Sequence, residues 1–390
     1  MQLEEQRVVT FLQKAIRAKS ISGNEEEMAK LVKSEMEYLN FDKAWIDSYG
    51  NIIGYVKGNK SGTILFEGHM DTVGIPSPKE WSHDPFAGYI EDNKMFGRGT
   101  CDMKSSLCAM VEAGGNLIAS GNRDFCSFYV VGVVYEEIFE GVSFGKVLDE
   151  LSIDAVILGE PSDMKIMLGQ KGRAELKITT FGKNAHSAFP EAGINALYNM
   201  NLFLTQLPNI ECPEDKILGK GIMVPTDICS SPYPGNSVIP DNCVITVDRR
   251  LTIEETKESV LNSINVVLDK LTKENKDFKA KVELATDKQV CYTGKTLEAL
   301  RFFPAWNTEK GSRIAKAITK AVEINDTIES PSFGTYAFCT DGSESAGKRK
   351  IPTIGFGPTP SNRAHIVNEF VELDKLIETQ KIFEEIIRFF

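Results

Sequence analysis

The chain has 390 residues, of which 25% are charged and 42% hydrophobic, with 31 glycines and 16 prolines. These ordinary globular values exclude a collagen-like, low-complexity or wholly disordered protein. The formal net charge of −11 argues against a nucleic-acid partner and against attachment to an anionic membrane surface. No apolar stretch approaches the roughly 18 residues of a membrane span, and the eight cysteines follow no disulfide spacing. We therefore expect a soluble, cytoplasmic protein.

The first 160 residues alternate between helical and strand-like patterns. Two amphipathic helices are predicted within residues 5–39. After them, the predicted strands are 63–66, 125–135 and 155–158, and the predicted helices are 103–119 and 145–151. Such alternation favours a largely parallel sheet covered by helices.

The middle of the chain has a different pattern. Its predicted elements are a strand at 173–180, a helix at 194–207, strands at 221–227 and 243–251, a helix at 255–271 and a strand at 281–285. This order is typical of a ferredoxin-like unit. The first pattern then returns, with a helix at 313–322, a strand at 352–356 and a helix from residue 373. We therefore predict one discontinuous α/β domain (1–174 and 291–390), interrupted by an inserted α+β domain (175–290).

Metal-capable side chains follow four of the predicted strands. In chain order they are His69, the adjacent pair Glu136 and Glu137, Glu160, and His365. Because the carboxyl ends of parallel strands meet at one edge of an open sheet, where ligands bind, we expect these side chains to lie close together.

Asp102 adds a further carboxylate, at the start of the predicted helix 103–119. Histidine and carboxylate ligands without sulfur suit zinc, and a bridging carboxylate can hold two ions about 3.5–4 Å apart. Two ions would need a histidine and a terminal carboxylate each, plus one shared carboxylate. The chain supplies that number in His69, Asp102, Glu137, Glu160 and His365. Cobalt or manganese would accept the same ligands.

Two carboxylates remain beside this ligand set. Asp71 lies two residues after His69, where it could orient the imidazole ring. Glu136 would be a free carboxylate next to the metals, suited to work as a general base.

The motifs GHMDTV, GRGTCDMKS, YEE, LGEPS and AHIVNEF occur in the order that is seen in the M20 family of metallopeptidases and deacylases. That family includes acetylornithine deacetylase, succinyl-diaminopimelate desuccinylase and carboxypeptidase G-type enzymes, and the resemblance spans nearly the whole chain. It implies a zinc-exopeptidase-like domain with two divalent ions, most commonly zinc, held by the five ligands above. It also implies that Asp71 is the supporting acid and Glu136 the base. The stretches EEIFEG, DRR and TDGSES are similar to a hydrolase branch associated with selenium metabolism.

The resemblance also assigns a role to the inserted domain, which in the family forms a homodimer and closes over the substrate. His186, in GKNAHSAFPE, matches a histidine that stabilises the oxyanion. Asn236 and Arg250, in PGNSVIP and VDRR, match positions that hold a substrate carboxylate, for which a guanidinium group is well suited.

The expected activity is hydrolysis of the amide bond of an N-acyl amino acid or a short peptide with a free carboxylate. One alternative is a serine hydrolase, because Gly141–Gly145 reads G-x-S-x-G and Ser143, Asp341 and His365 could form a triad. The carboxylates next to that serine would oppose an oxyanion. Another alternative is a non-catalytic peptide-binding protein with the same fold. Such a protein would lack some of the metal ligands or the base, all of which this chain has.

Overall fold

The computed structural model describes the backbone of residues 3–325, 328 and 330–390, and side chains from residue 6 onwards within these ranges. Its α-helices are α1 (Leu3–Arg17), α2 (Glu26–Tyr38), α3 (Lys104–Ala119), α4 (Val142–Leu148), α5 (Ala196–Gln206), α6 (Lys257–Glu274), α7 (Arg313–Glu323) and α8 (Leu373–Phe389). Among the described residues, none of these helices is long and apolar enough to cross a membrane.

The strands include several short ones that the sequence patterns did not predict. They are β1 (Lys43–Ile46), β2 (Ile52–Val56), β3 (Lys60–His69), β4 (Tyr89–Glu91), β5 (Lys94–Phe96), β6 (Cys126–Val133), β7 (Ala155–Leu158), β8 (Ile166–Gln170), β9 (Gly172–Phe181), β10 (Glu214–Asp215) and β11 (Gly219–Lys220). They continue with β12 (Ile222–Ser231), β13 (Asn242–Leu251), β14 (Lys279–Leu284), β15 (Thr286–Val290), β16 (Thr296–Leu300), β17 (Phe302–Phe303), β18 (Trp306–Asn307), β19 (Phe333–Tyr336), β20 (Thr353–Gly355) and β21 (Phe370–Glu372).

A nine-stranded sheet forms the centre of the larger unit, in the order β1-β2-β6-β3-β7-β20-β8-β18, with β19 beside β8. Its middle strands β6, β3, β7 and β20 are parallel, and antiparallel pairs extend both sides. The predicted α/β fold with a largely parallel sheet is confirmed. In these central strands, alternate side chains enter two different cores. Phe66 belongs to the core beneath α1, α3 and α8, whereas Leu65 packs in the core that contains α4.

A second sheet is antiparallel, in the order β12-β13-β9-β14, with β17 beside β9. Its chain order is strand β9, helix α5, strands β12 and β13, helix α6 and strand β14. Apolar residues of β9, α5 and α6 share one core, among them Leu176, Phe203 and Ile264. The chain passes between the two sheets at Lys171, and returns at Pro304–Ala305.

A β-hairpin, formed by β15 and β16, joins the two units. It lies between β14 and β17 in the sequence, so both of its ends connect to the second sheet. Cys291 and Leu297, in or next to its turn, belong to the core of the larger unit. The turn of the hairpin therefore packs against the larger unit.

Candidate metal centre

The metal-capable side chains converge because four neighbouring strands point the same way. His69 is the last residue of β3, Glu136 and Glu137 follow β6, and Glu160 follows β7. His365 lies in the loop after β20, with a backbone φ of 63°. Since β6, β3, β7 and β20 are adjacent and parallel, their carboxyl ends meet at one edge of the sheet.

Asp102 lies between the two histidines. One carboxylate oxygen, Oδ1, is 3.0 Å from Nε2 of His69, and the other, Oδ2, is 3.2 Å from Nε2 of His365. Nε2 of His365 is also 2.9 Å from Oε2 of Glu137. Each oxygen of Asp102 thus contacts a different histidine.

Two overlapping groups of side chains could each hold an ion. His69, Glu136 and Glu160 have ligand atoms within 4.8 Å of one another, and so do His69, Asp102 and Glu137. Oε1 of Glu137 is buried and has no hydrogen-bond partner among the described residues. The structure therefore brings together all five predicted ligands, with Glu136 beside them.

The electrostatics of this cluster favour bound cations. Burial, together with the charge of Glu160, raises the pKa of Glu136 well above its usual value. Burial and the charge of Asp102 raise the pKa of Glu160 and Glu137 as well. Burial acts against ionisation of Asp102 too, but hydrogen bonds from both histidines hold its pKa well below the usual range. Buried carboxylates that repel one another are stabilised when cations neutralise them.

Asp71 supports the centre through two different groups. Its backbone carbonyl is 2.9 Å from Nδ1 of His69, which leaves Nε2 of the ring facing Asp102. Its carboxylate is 3.7 Å from the same Nδ1 and accepts hydrogen bonds from the backbone N–H groups of Glu136 and Glu137, at 3.0 and 3.2 Å. Asp71 therefore fixes both one histidine and the loop of the two glutamates.

A cavity of about 380 Å³ opens next to the ligands. Arg250 and Arg173 also line it, together with Glu140, Phe338 and Ser361. Nε of Arg250 is 2.8 Å from Oδ1 of Asp248. The guanidinium group of Arg250 is thus held in the same cavity as the metal-capable residues.

His186 and Asn236 lie apart from this cavity and are not among its lining residues. Both are exposed, and a β-bridge between His186 and Val238 places the two loops side by side. Nδ1 of His186 accepts the backbone N–H of Ala188 at 3.0 Å. This leaves the Nε2 atom of the ring as the donor.

The sequence patterns did not predict the role of Glu369, a buried carboxylate that supports the Asp102 loop. Its Oε1 accepts the backbone N–H groups of Gly99, Cys101 and Asp102 at 2.7–3.2 Å, and Oε2 pairs with Arg98. The available signal was its position in AHIVNEF, four residues after His365.

Glu67 was also missed. It stands two residues before His69 on the strand and is almost fully buried. Burial and the charge of Asp341 hold the pKa of Glu67 well above its usual value. The signal was a lone acidic residue within an apolar strand.

The alternative serine triad does not form in the described residues. The hydroxyl of Ser143 donates to Oδ1 of Asn51 at 2.7 Å. Oδ1 of Asp341 accepts the backbone N–H of Gly141, while His365 contacts Asp102 and Glu137. The three residues therefore have separate partners.

The fold and the site together define a metal-dependent hydrolase with an α/β core. Residues 65–388 match Peptidase family M20/M25/M40, and the chain belongs to this family. The resemblance drawn from the five motifs is thereby confirmed.

Two relatives extend over most of the chain. An uncharacterized Escherichia coli (strain K12) protein, YgeY, is 33% identical over 363 residues, covering 92% of this chain and 88% of the relative. Succinyl-diaminopimelate desuccinylase of Ehrlichia canis (strain Jake) is 28% identical, covering 85% and 83%.

Solved structures show the same fold. Aminopeptidase PepT of Bacillus cereus ATCC 10987 has a TM-score of 0.76 at 20% identity, covering 99% of this chain and 98% of its own. The Bacillus subtilis protein YXEP, a dinuclear metal-binding peptidase of the M20 family, has a TM-score of 0.72 at 14% identity, covering 99% and 98%.

Proposed function

We propose that this chain is a dinuclear metal-dependent amidohydrolase that cleaves the amide bond of N-acyl amino acids or short peptides. The observation that carries the proposal is the position of Asp102, whose two oxygens face Nε2 of His69 and Nε2 of His365 separately. The dinuclear site in the related B. subtilis peptidase supports the same proposal.

The donor set fits two divalent ions, most commonly zinc. Its five side chains offer only nitrogen and oxygen, and one of them, Glu137, has a buried oxygen that lacks a partner among the described residues. Asp102 would be shared, His69 and Glu160 would complete one site, and Glu137 and His365 the other. Ions bound there would polarise the scissile carbonyl and lower the pKa of a water molecule.

Protein side chains then handle the proton and the substrate. Glu136 takes the proton of the attacking water and passes it to the leaving amine, so that amide and water become a carboxylic acid and an amine. Arg250, which lines the same cavity, binds the free carboxylate of the substrate, with Asn236 as a second contact. His186 donates to the developing oxyanion.

His186 and Asn236 would reach an active site in a homodimer that forms through the inserted domain. The edge strand β12 supports this arrangement, because Ile222, Val224 and Ile228 are 46%, 49% and 55% exposed. An apolar edge of this kind is a surface for pairing with another strand. In a two-fold dimer, each His186 would then serve the partner subunit.

The division into domains, a cytoplasmic location and the selenium-associated branch stay predictions. The pairing of β17 with β9 favours a return to the larger domain near residue 304. The similarity to a desuccinylase favours N-acyl amino acids as substrates. The similarity in fold to an aminopeptidase is the reason to test short peptides as well.

Metal removal tests the proposed activity. The substrates are a panel of N-acyl amino acids and dipeptides. Treatment with a chelator should abolish hydrolysis, and zinc, cobalt or manganese should restore it, while a serine-directed phosphonate should have no effect. Full activity of the metal-free protein, together with inactivation by the phosphonate, would overturn the proposal in favour of Ser143.

A further inference from the structure

The loop that carries Glu136 and Glu137 begins with a tightly held tyrosine. Tyr135 has a backbone φ of 61° and is 7% exposed. Its backbone N–H donates to Oε1 of Glu25 at 3.2 Å, and its carbonyl accepts the N–H of Phe139 at 2.9 Å. Asp71 accepts the next two N–H groups, so those of residues 135, 136 and 137 all donate to carboxylates.

The hairpin of β15 and β16 runs from the second sheet to this loop. At its base, Ala285 donates a backbone hydrogen bond to Glu175 of β9 at 2.8 Å. At its turn, the hydroxyl of Tyr292 donates to the carbonyl of Gly50 at 3.0 Å, and Thr293 donates to the carbonyl of Ser48 at 2.9 Å. The hairpin is therefore anchored to both units.

The hairpin and its base hold the glutamate loop from both sides. Before the two glutamates, the hydroxyl of Tyr135 donates to the carbonyl of Val290, the last residue of β15, at 2.9 Å. After them, the guanidinium group of Arg301 donates to the carbonyl of Ile138. Arg301 directly follows β16 and lies 5.6 Å from the ring centre of Phe139.

We propose that Tyr135 and Arg301 are positioning residues. They fix the position of the Glu136 loop relative to the hairpin and the second sheet. The inference rests on the proposed function, in which Glu136 is the base. The hydroxyl of Tyr135 donates to a backbone carbonyl of the hairpin rather than to a proposed ligand or to Glu136, so its effect on the reaction passes through the loop. Small displacements of a base from its working geometry are costly for the chemical step.

Replacement of one hydroxyl tests this role. Tyr135→Phe should lower kcat by about tenfold while KM changes by less than about twofold, because loop position affects the transition state more than substrate binding. Tyr292→Phe is the matched control, since it removes a phenol–carbonyl bond of nearly equal length from the same hairpin. Thr293 still anchors the turn in this variant, and the bond from Tyr135 to Val290 is kept, so kcat should stay at the wild-type value.

Hydrogen exchange gives a readout that is independent of turnover. In Tyr135→Phe, the amides of residues 135–140 should exchange faster than in the wild type, with unchanged metal content, whereas Tyr292→Phe should leave them as they are. Arg301→Lys keeps the charge but shortens the reach to Ile138, and it should reproduce the kcat loss. Equal kcat values in the wild type, Tyr135→Phe and Arg301→Lys would overturn the inference.

Glu136→Gln is measured on the same substrate, the N-acyl amino acid that the wild type hydrolyses fastest. If Glu136→Gln is inactive and Tyr135→Phe is fully active, the positioning role is wrong and the proposed function stands. If Glu136→Gln is fully active, the proposed base is wrong. Equal kcat losses in Tyr135→Phe and Tyr292→Phe would show that the hairpin stabilises the protein generally, which also contradicts the positioning role.

Discussion

Glu369 accepts the backbone N–H of Asp102 at 3.2 Å, although the two residues are 267 positions apart in the sequence. Both oxygens of this buried carboxylate are engaged, since Oε2 pairs with the buried guanidinium group of Arg98. The segment that carries His365 thus also holds the loop of Asp102, the proposed shared ligand. The side chain of Glu369 therefore links the segments of His365 and Asp102.

Removal of Glu369 should weaken metal binding. In Glu369→Ala, the loop of Asp102 loses its acceptor, and we expect the zinc affinity to fall by about 10–100-fold. The unpaired charge of Arg98 should also lower the free energy of unfolding by about 3–5 kcal/mol. Zinc affinity is measured by competition with a chromogenic chelator, and stability by urea unfolding.

A surface carboxylate provides the control for this variant. Glu385, on α8, forms a partly exposed ion pair with Arg388 at 3.5 Å, so Glu385→Ala should change neither quantity measurably. Glu369→Gln retains an acceptor oxygen and should bind zinc better than Glu369→Ala. Wild-type zinc affinity in a folded Glu369→Ala variant would contradict the supporting role of Glu369.

Substitution of Glu136 should remove the catalytic base, whereas substitution of Glu137 should remove a metal ligand. Glu136→Gln cannot accept a proton, and we expect kcat to fall by about 10²–10⁴ while both ions stay bound. Glu137→Gln should lose metal, because Glu137 is a proposed ligand, and its side chain lies with those of His69 and Asp102. Metal analysis of both variants checks the assignment. Loss of an ion from Glu136→Gln, with both ions kept in Glu137→Gln, would mean that the roles are reversed.

The sequence predicts that the side chains of the proposed ligands come together, because their positions depend on a simple geometric rule. His69, Glu137 and Glu160 each follow a strand, and parallel neighbouring strands end at the same edge of the sheet. The position of each residue after a strand is then enough to place the three side chains together. Asp102, just before α3, and His365, in a longer loop after β20, were also named from their positions, but the rule fixes their places less closely.

Contacts between distant loops were beyond prediction from local patterns. Glu369 reaches Asp102 only in the folded chain, and no periodicity reveals which backbone group a buried carboxylate will accept from. Most residues of β15 and β16 are exposed or only partly buried. The two strands therefore lack the apolar pattern of a core strand. The contact between Tyr135 and Val290 was therefore invisible in the sequence.

A buried carboxyl group remote from the centre should make stability depend on pH. Burial, opposed by Arg7 at 2.9 Å, raises the pKa of Glu112 from 4.5 to about 7. Between these values the folded chain holds the proton and the unfolded chain releases it. The stability that this proton uptake provides is therefore complete below pH 4.5, and it is lost as the pH rises through 7.

Glu112→Gln removes this titration. The free energy of unfolding of the wild type, relative to that of Glu112→Gln, should fall by about 1–3 kcal/mol between pH 5 and pH 8. Urea unfolding of both proteins at the two pH values measures the difference, and the comparison cancels the pH dependence of metal binding, which both proteins share. A difference that stays constant, or that grows with pH, would contradict the raised pKa of Glu112.

A shared active site should be recoverable from two inactive variants. His186 is exposed, and its Nδ1 accepts the N–H of Ala188, so Nε2 is free to donate to an oxyanion outside its own loop. It does not line the cavity of its own chain. We expect His186→Ala and Glu136→Ala to be nearly inactive as separate homodimers, because each active site then lacks either its oxyanion donor or its base.

Mixed dimers of these two variants decide whether His186 serves the partner subunit. After dissociation and reassociation, one site of each mixed dimer would combine a wild-type Glu136 with a wild-type His186 from the other subunit, and the other site would lack both. Mixed dimers should therefore regain about half of the wild-type activity per dimer. Their formation is verified by native mass spectrometry with one variant carrying a mass tag. Mixed dimers that form and stay inactive would show that His186 does not act across the interface, since a histidine that serves its own chain leaves every site of the mixture defective.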